Sequence, residues 1–225
     1  MSHFFAYLSR MKLIKRWGLM RNTNPENIQE HSLEVAIIAH GLAVIKNRMF
    51  NGNVDPERVM ALAAFHEVGE VITGDIATPI KYFNPEIKKA YDEIERVAKL
   101  RLFNMLPNEL KEDYDSLFFL EDKDHVHWRI VKAADKISAY LKCLEELKAG
   151  NREFLKAKKT IKQEIDKFDM PEVKYFIQKF VPSFSLPSPS LSLLDIFSFM
   201  ALIASSPLRS AKSLSAKYFN LISLG

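Results

Sequence analysis

The sequence predicts an all-α bundle, and three observations carry that expectation. Apolar residues recur at helical spacing in almost every segment, glycine is scarce at 7 of 225 residues, and no alternating run is long enough for a strand. In chain order, a first helix is expected near 2–15. Three boundaries then carry Asn or Asp followed by proline, the pattern of an N-cap with proline at the first helical position: "NPE" at 24–26, "DPE" at 55–57 and "NPE" at 84–86. They predict helices over 28–48, 56–72 and 85–105. The periodic run "DHVHWRIVKAADKISAYLKCLEELKAG" predicts a long helix over 124–149 closed by Gly150, with Asn151 capping the next over 152–167. A short helix after Pro171 completes the bundle.

The length suits one ordinary domain with a short appendage. A content of 48% hydrophobic and 27% charged residues is that of a soluble globular protein and argues against disorder. The net charge of +4 comes from 32 basic and 28 acidic residues without a clustered basic stripe, so binding to polymeric nucleic acid is not expected. A single cysteine, Cys143, and an N-terminal run too short for a secretory signal point to the cytoplasm. Composition changes after residue 184: residues 185–225 hold eleven serines and only four charges. The apolar centre of this Ser/Leu-rich tail, "LLDIFSFMALIA", is shorter than the roughly 20 residues of a spanning helix and contains an aspartate, so no membrane span is expected. The tail reads as a flexible linker followed by a helix that packs on the body or a partner. Membrane-surface attachment and a non-homologous or out-of-frame origin stay open.

The stretch "FHEVGE", residues 65–70, bears on chemistry. It is not a zincin motif, which needs a second histidine where Glu70 stands. On a helix, His66 and Glu70 share a face at i,i+4, and Glu67, turned about 100° from His66, still reaches a common centre. A divalent ion there would require further imidazole and carboxylate ligands from facing helices. Two polar residues embedded in apolar periodic runs are candidates, His31 in "QEHSLEVAIIAH" and Asp135 in "VKAADKISAYL". A buried aspartate needs a metal or an ion partner, and the pattern leaves both open. His31 taken alone reads more readily as a satisfied core or surface residue than as a ligand. His40 lies about 180° around the helix from His31, His125 and His127 read as surface residues, and His3 carries no signal.

The order His31, His66-Glu67, Asp135 on successive helices resembles the H…HD…D signature of the HD-domain phosphohydrolases. Five ordered blocks, "SHFFAYLSRMKLIKRWGLMRN", "EHSLEVA", "EVITGDIATPIKYFN", "KAADKISAYLKCLEELKAGN" and "FVPSF", are similar to the bacterial HD-domain 5′-deoxynucleotidases. These are cytoplasmic enzymes that convert deoxyribonucleoside 5′-monophosphates to deoxynucleoside and phosphate. The resemblance runs from residue 1 to about 184 and implies an HD-domain helical bundle over 1–184, with the 185–225 tail outside it.

The resemblance implies that His31, His66, Glu67 and Asp135 hold one divalent transition metal, cobalt, manganese or similar. His31, Glu67 and Asp135 then also border the substrate. Glu70 would orient or deprotonate the attacking water, and Arg16 would place the 5′-phosphate with its planar guanidinium fork as part of the catalytic set. Trp17 would pack against the sugar and disfavour a 2′-hydroxyl. Asp75, Ile76, Ala77 and Thr78 would contact the nucleoside, with Asp75 accepting from the 3′-hydroxyl. Without the family, Arg16-Trp17 would read as a solvated arginine beside a core tryptophan, and the "TGD" and "TP" pairs as turn chemistry. A homodimer is also implied. Two positions depart from the family pattern: Glu67 stands where aspartate is usual, and Ala77 where proline is usual. The additional methylene moves the carboxylate by about 1.5 Å unless backbone or rotamer compensates. Another nucleotide substrate, or a catalytically silent nucleotide-binding protein, are the competing readings.

Overall fold

The computed structural model describes residues 1–119 and 124–185. The 185–225 tail expectation therefore lies, apart from Ser185, outside the described residues. Those residues form an all-α bundle; among them no strand occurs, and Lys15 and Asn27 form an isolated antiparallel bridge. The helices are α1 (Phe4–Leu8), α2 (Ile28–Met49), α3 (Pro56–Ala64), α4 (Glu70–Thr73), α5 (Thr78–Lys81), α6 (Pro85–Phe103), α7 (Lys111–Phe118), α8 (His125–Lys148), α9 (Leu155–Asp166), α10 (Pro171–Lys179) and α11 (Pro182–Ser185).

The caps explain most boundaries. Asp55 Oδ1 accepts from the Arg58 N–H at 2.9 Å and Asn84 Oδ1 from the Ile87 N–H at 2.8 Å, each with proline at the first helical position. Gly150 at φ +88° ends α8, and Asn151 accepts from the Glu153 N–H at 3.2 Å to open the next turn. Two expectations need correction. The cap of α2 is Asn27, not Asn24: Asn27 Oδ1 accepts from the N–H of Gln29 and Glu30, while Glu30 Oε2 accepts from the Asn27 N–H, a reciprocal capping box. The expected 2–15 helix is a five-residue α1 followed by a 3-10 turn over Ser9–Leu13.

The third correction bears on function. The helix expected over 56–72 stops at Ala64, and residues 65–69 form tight turns before α4. Continuing the helix would pair the Glu67 N–H with the Ala63 carbonyl. That oxygen is instead taken by the His66 N–H at 3.3 Å and by His66 Nδ1 at 2.6 Å. The imidazole outcompetes the next helical bond, and the chain tightens to i→i+3 pairing at Val68, Glu70, Val71 and Ile72.

Two apolar cores flank this turn. Val35, Leu42, Val59, Leu62, Ile130, Ile137 and Leu141 close one across α2, α3 and α8; Phe4, Met11, Ile28, Val68, Leu102 and Phe118 close the other, around the chain start, α6 and α7. His31 sits on α2 between Ile28 of the second and Val35 of the first, so the two cores meet at a polar residue that is 0% exposed. His127 is more enclosed than expected: its side chain is 17% exposed and its Nδ1 lies 2.8 Å from Asp124 Oδ1.

One buried carboxylate ties the loop before α2 to α8. Glu146, fully buried, accepts from the N–H of Thr23 at 2.9 Å and of Asn24 at 3.1 Å, from Asn151 Nδ2 at 2.8 Å and from the Lys142 ammonium. Against burial, which raises it, these donors pull its carboxyl down to about 2. Because the folded value lies below the unfolded one, the contribution is complete above about pH 4.5 and disappears as pH falls toward about 2. Glu146→Ala, which leaves buried Lys142 without its ion partner and with only the Asn24 carbonyl to donate to, is expected to cost about 3 to 5 kcal/mol at pH 7 in urea unfolding. The gap to wild type should narrow below pH 4.5.

Candidate metal centre

The turn that interrupts the third expected helix delivers His66 and Glu67 to a point faced by His31 of α2 and Asp135 of α8. One ligand atom from each of the four lies within 4.8 Å of the others. His31 Nε2 is 3.1 Å from Asp135 Oδ1 and 3.7 Å from Glu67 Oε2, and His66 Nε2 is 3.7 Å from Glu67 Oε1. The longer glutamate side chain thus still enters the cluster.

The donor atoms are poised for a cation. A carbonyl only accepts, so the His66 Nδ1 contact with Ala63 carries the ring proton on Nδ1 and leaves Nε2 with a bare lone pair. His66 Nε2 and Glu67 Oε2 are both buried with no hydrogen-bond partner in the structure. Orphaned buried acceptors are costly, and two of them aimed at one point beside the second imidazole, His31, and the second carboxylate, Asp135, fit a borderline divalent ion. Burial lowers the His66 pKa, keeping the ring neutral as a ligand must be. Burial would raise Glu67 and Asp135, yet both carboxyls are held below their ordinary values. For Glu67 the main opposing cause is Arg16 and for Asp135 the hydrogen bond with His31.

Arg16 approaches from the segment before α2, paired to it by Ile28 N–H to Ile14 O at 3.0 Å and Arg16 N–H to Glu26 O at 3.0 Å. Its Nη1 stands 3.7 Å from Glu67 Oε2 and is a buried donor without a hydrogen-bond partner. Burial opposes its charge, but Glu67, Glu26, Asp135 and Asp75 more than compensate and raise its pKa. Trp17 is held on three sides: its N–H donates to Asp75 Oδ2 at 3.2 Å, its Nε1–H donates to Glu26 Oε2 at 3.2 Å, and its ring centroid is 5.2 Å from that of Phe154. Its backbone lies at φ +59°, a conformation that costs a bulky residue about 1–3 kcal/mol and persists only where the surroundings impose it.

Glu70 opens α4, is 7% exposed, and has a buried Oε2 with no partner. Burial, then the charges of Glu67 and Asp75, push its pKa up to about 9, so the carboxyl is neutral at pH 7 without a bound cation. Asp75 is raised by burial and joined directly to Trp17. Ile76 and Ala77 are half-buried in the same loop, and exposed Thr78 begins α5 with Ala77 as its N-cap. None of these three has a hydrogen bond into the cluster among the described residues.

Glu26 was not singled out in the sequence and proves to be a hub. Its carboxylate reaches Arg16 Nε at 3.5 Å, Trp17 Nε1 at 3.2 Å and His31 Nδ1 at 3.9 Å. The signal was hidden because "NPE" reads as a helix start, which assigns its acid to dipole duty.

The 5′-deoxynucleotidase YfbR-like family matches residues 3–184. Curated 5′-deoxynucleotidases of Yersinia pestis (strain Pestoides F) and Yersinia pseudotuberculosis (serotype O:3, strain YPIII) are each 53% identical over 193 residues, covering 86% of this chain and 98% of theirs. Among solved structures, an HD-domain phosphohydrolase from Listeria innocua aligns with a TM-score of 0.72 at 23% identity, over 81% of this chain and 88% of its own. The cyanophage S-2L HD phosphohydrolase, solved with dA and one catalytic zinc ion, aligns with a TM-score of 0.56 at 18% identity, over 79% and 95%. Those two likenesses establish the shared fold; the sequence matches go further, and the chain belongs to the 5′-deoxynucleotidase YfbR-like family.

Proposed function

We propose that this chain is a metal-dependent 5′-deoxynucleotidase that hydrolyses deoxyribonucleoside 5′-monophosphates to deoxynucleoside and inorganic phosphate. The observation that carries the reading is the convergence of His31, His66, Glu67 and Asp135 on one point beside the open Arg16 donor and protonated Glu70. When bound, a divalent ion supplies Lewis-acid polarisation of a phosphoryl oxygen and a water of lowered pKa. The two-nitrogen, two-carboxylate donor set suits cobalt, manganese or a similar ion, and the zinc of the cyanophage relative is of that kind.

Arg16 binds the phosphate. Its Nη1 is buried and lacks a hydrogen-bond acceptor, and a phosphate oxygen provides one together with charge neutralisation. Glu70 handles the proton of the attacking water. Glu70, pushed up to about 9 by burial and by the charges of Glu67 and Asp75, would work as a base once a cation held by His31, His66, Glu67 and Asp135 offset the Glu67 charge. Trp17, clamped in one orientation, packs against the sugar where a 2′-hydroxyl would stand. Asp75 keeps one oxygen on the Trp17 N–H and offers the other to the 3′-hydroxyl. Ile76, Ala77 and Thr78 continue this loop along the nucleoside, and His31, Glu67 and Asp135 border the phosphate.

Phosphate release measured over a panel of deoxynucleotides with several divalent metals tests the reading. Metal-dependent release from dAMP is expected, with AMP turned over more slowly by roughly 10², and Trp17→Ala should bring that ratio toward one. Silence with every metal would reject hydrolysis in favour of a nucleotide-binding protein. An unchanged dAMP-to-AMP ratio in the variant would reject the sugar role of Trp17.

The same reading takes 1–184 as the catalytic body and 185–225 as a tail outside that domain in sequence, and puts the enzyme in the cytoplasm as a homodimer. The domain reading is supported by the family match ending at residue 184. The cytoplasmic one is supported by the lone thiol Cys143, buried and pushed up to about 12 by burial. The dimer is supported by an exposed apolar stripe on α2, Leu33, Ile37 and Val44. Among the described residues no helix is long and apolar enough to cross a membrane.

A further inference from the structure

We propose that Ser138 and Glu34 form a positioning pair that locks His31 in the one tautomer able to bind a metal. The proposal rests on the metal reading of the His31 cluster. Helices α2 and α8 pack with two i,i+3 pairs facing each other: His31 with Glu34, and Asp135 with Ser138. Asp135 meets the Nε2 edge of the His31 ring at 3.1 Å and Ser138 Oγ meets the Nδ1 edge at 3.0 Å. Behind the hydroxyl, Glu34 Oε2 stands 2.5 Å from Ser138 Oγ.

The proton count decides the direction of this chain. A serine hydroxyl has one proton to give, and a carboxylate only accepts, so the Ser138 proton goes to Glu34 and the oxygen lone pair receives the His31 Nδ1–H. In the loaded site Nε2 would then be the bare ligand atom, facing Asp135 and Glu67; without a cation the same nitrogen shares a hydrogen bond with Asp135 Oδ1 at 3.1 Å. The opposite tautomer would turn the Ser138 proton toward Nδ1 and leave two oxygens facing each other at 2.5 Å without a hydrogen between them. His31 and Ser138 are both 0% exposed, so bulk solvent does not reach either group. The two imidazoles are thus fixed by different acceptors, His66 by the Ala63 carbonyl and His31 by a hydroxyl that relays to a carboxylate.

Zinc affinity of the purified full chain, measured by chelator competition, tests the pair. Ser138→Ala is expected to bind zinc about 10–100-fold more weakly, the scale of a lost outer partner of a ligating histidine. Glu34→Leu, at a half-buried position that tolerates an apolar side chain, should weaken binding by about 10-fold. Glu34→Gln, whose amide oxygen still accepts from Ser138, should stay within about threefold of wild type. In parallel, imidazole nitrogen NMR of the zinc-loaded protein should show His31 protonated at Nδ1, with that proton protected in wild type and Glu34→Gln and exchanging in Ser138→Ala. Wild-type zinc affinity in Ser138→Ala or Glu34→Leu overturns the proposal, as does a zinc-loaded wild type lacking the His31 Nδ1 proton. A wild-type chain that binds none of zinc, cobalt and manganese removes the metal reading and this proposal with it, a result separable from the others.

Discussion

Glu70→Gln is expected to lower turnover on dAMP by at least about a hundredfold while metal content and folded stability stay near wild type. The contrast follows from the state of the carboxyl. With its pKa pushed up to about 9 by burial and by Glu67 and Asp75, Glu70 is already uncharged at pH 7 in the metal-free chain, and a neutral amide of the same shape replaces it at little cost. What the amide cannot do is exchange a proton with water during the reaction. Turnover in wild type should rise with pH through the pKa that Glu70 adopts in the loaded enzyme, and this limb should vanish in Glu70→Gln. Near-normal turnover in the variant, or an unchanged pH limb, would reject Glu70 as the proton carrier. A loss of metal alongside activity would instead make it a ligand.

His66→Ala should abolish stoichiometric metal binding and depress turnover by about 10³ or more, since one of two neutral nitrogen donors is removed from a four-group set. Stability gives an independent reading. Wild type at a metal concentration about 100 times Kd gains about 2.7 kcal/mol from ligation, and the variant should show no such rise in thermal midpoint. The substitution has a second effect, because the His66 imidazole holds the Ala63 carbonyl at 2.6 Å. Freed of it, that carbonyl can accept from the Glu67 N–H, and α3 can extend by a turn, carrying Glu67 away from the cluster. His66→Asn, which can keep a side-chain bond to Ala63, should retain the turn while still losing metal affinity. Full metal occupancy in His66→Ala would overturn the assignment of His66 as a ligand.

The fold class was legible because it depends on signals that survive in one dimension: helical periodicity marked α2, α6 and α8, and Asp55-Pro56 and Asn84-Pro85 marked two starts. The four clustered residues came as a set from the resemblance to the HD-domain family, since polar residues in apolar runs made His31 and Asp135 candidates and no more. The break after Ala64 was not legible, because the segment contains no proline and its cause is a side chain competing for a carbonyl. Glu26 was missed for the opposite reason: a strong local pattern, "NPE", suggested a cap, whereas Asn24 is drawn to Glu146 far along the chain and Asn27 caps α2. Ser138 and Glu34 follow two recognised residues by three positions each, a spacing visible in the sequence, but only the packing of α2 against α8 gives it meaning. The Glu67 methylene, a point of tension in the sequence, is absorbed where helix geometry has already given way to a tighter turn.

The left-handed backbone of Trp17 has an evolutionary consequence. Glycine or asparagine would occupy φ +59° with less strain, but either would surrender the ring contact with Phe154 and the Nε1–H bond to Glu26. A lineage that relaxes the backbone here gives up the side chain proposed to inspect the sugar, and a relaxed taste for ribonucleotides would be the trace it leaves.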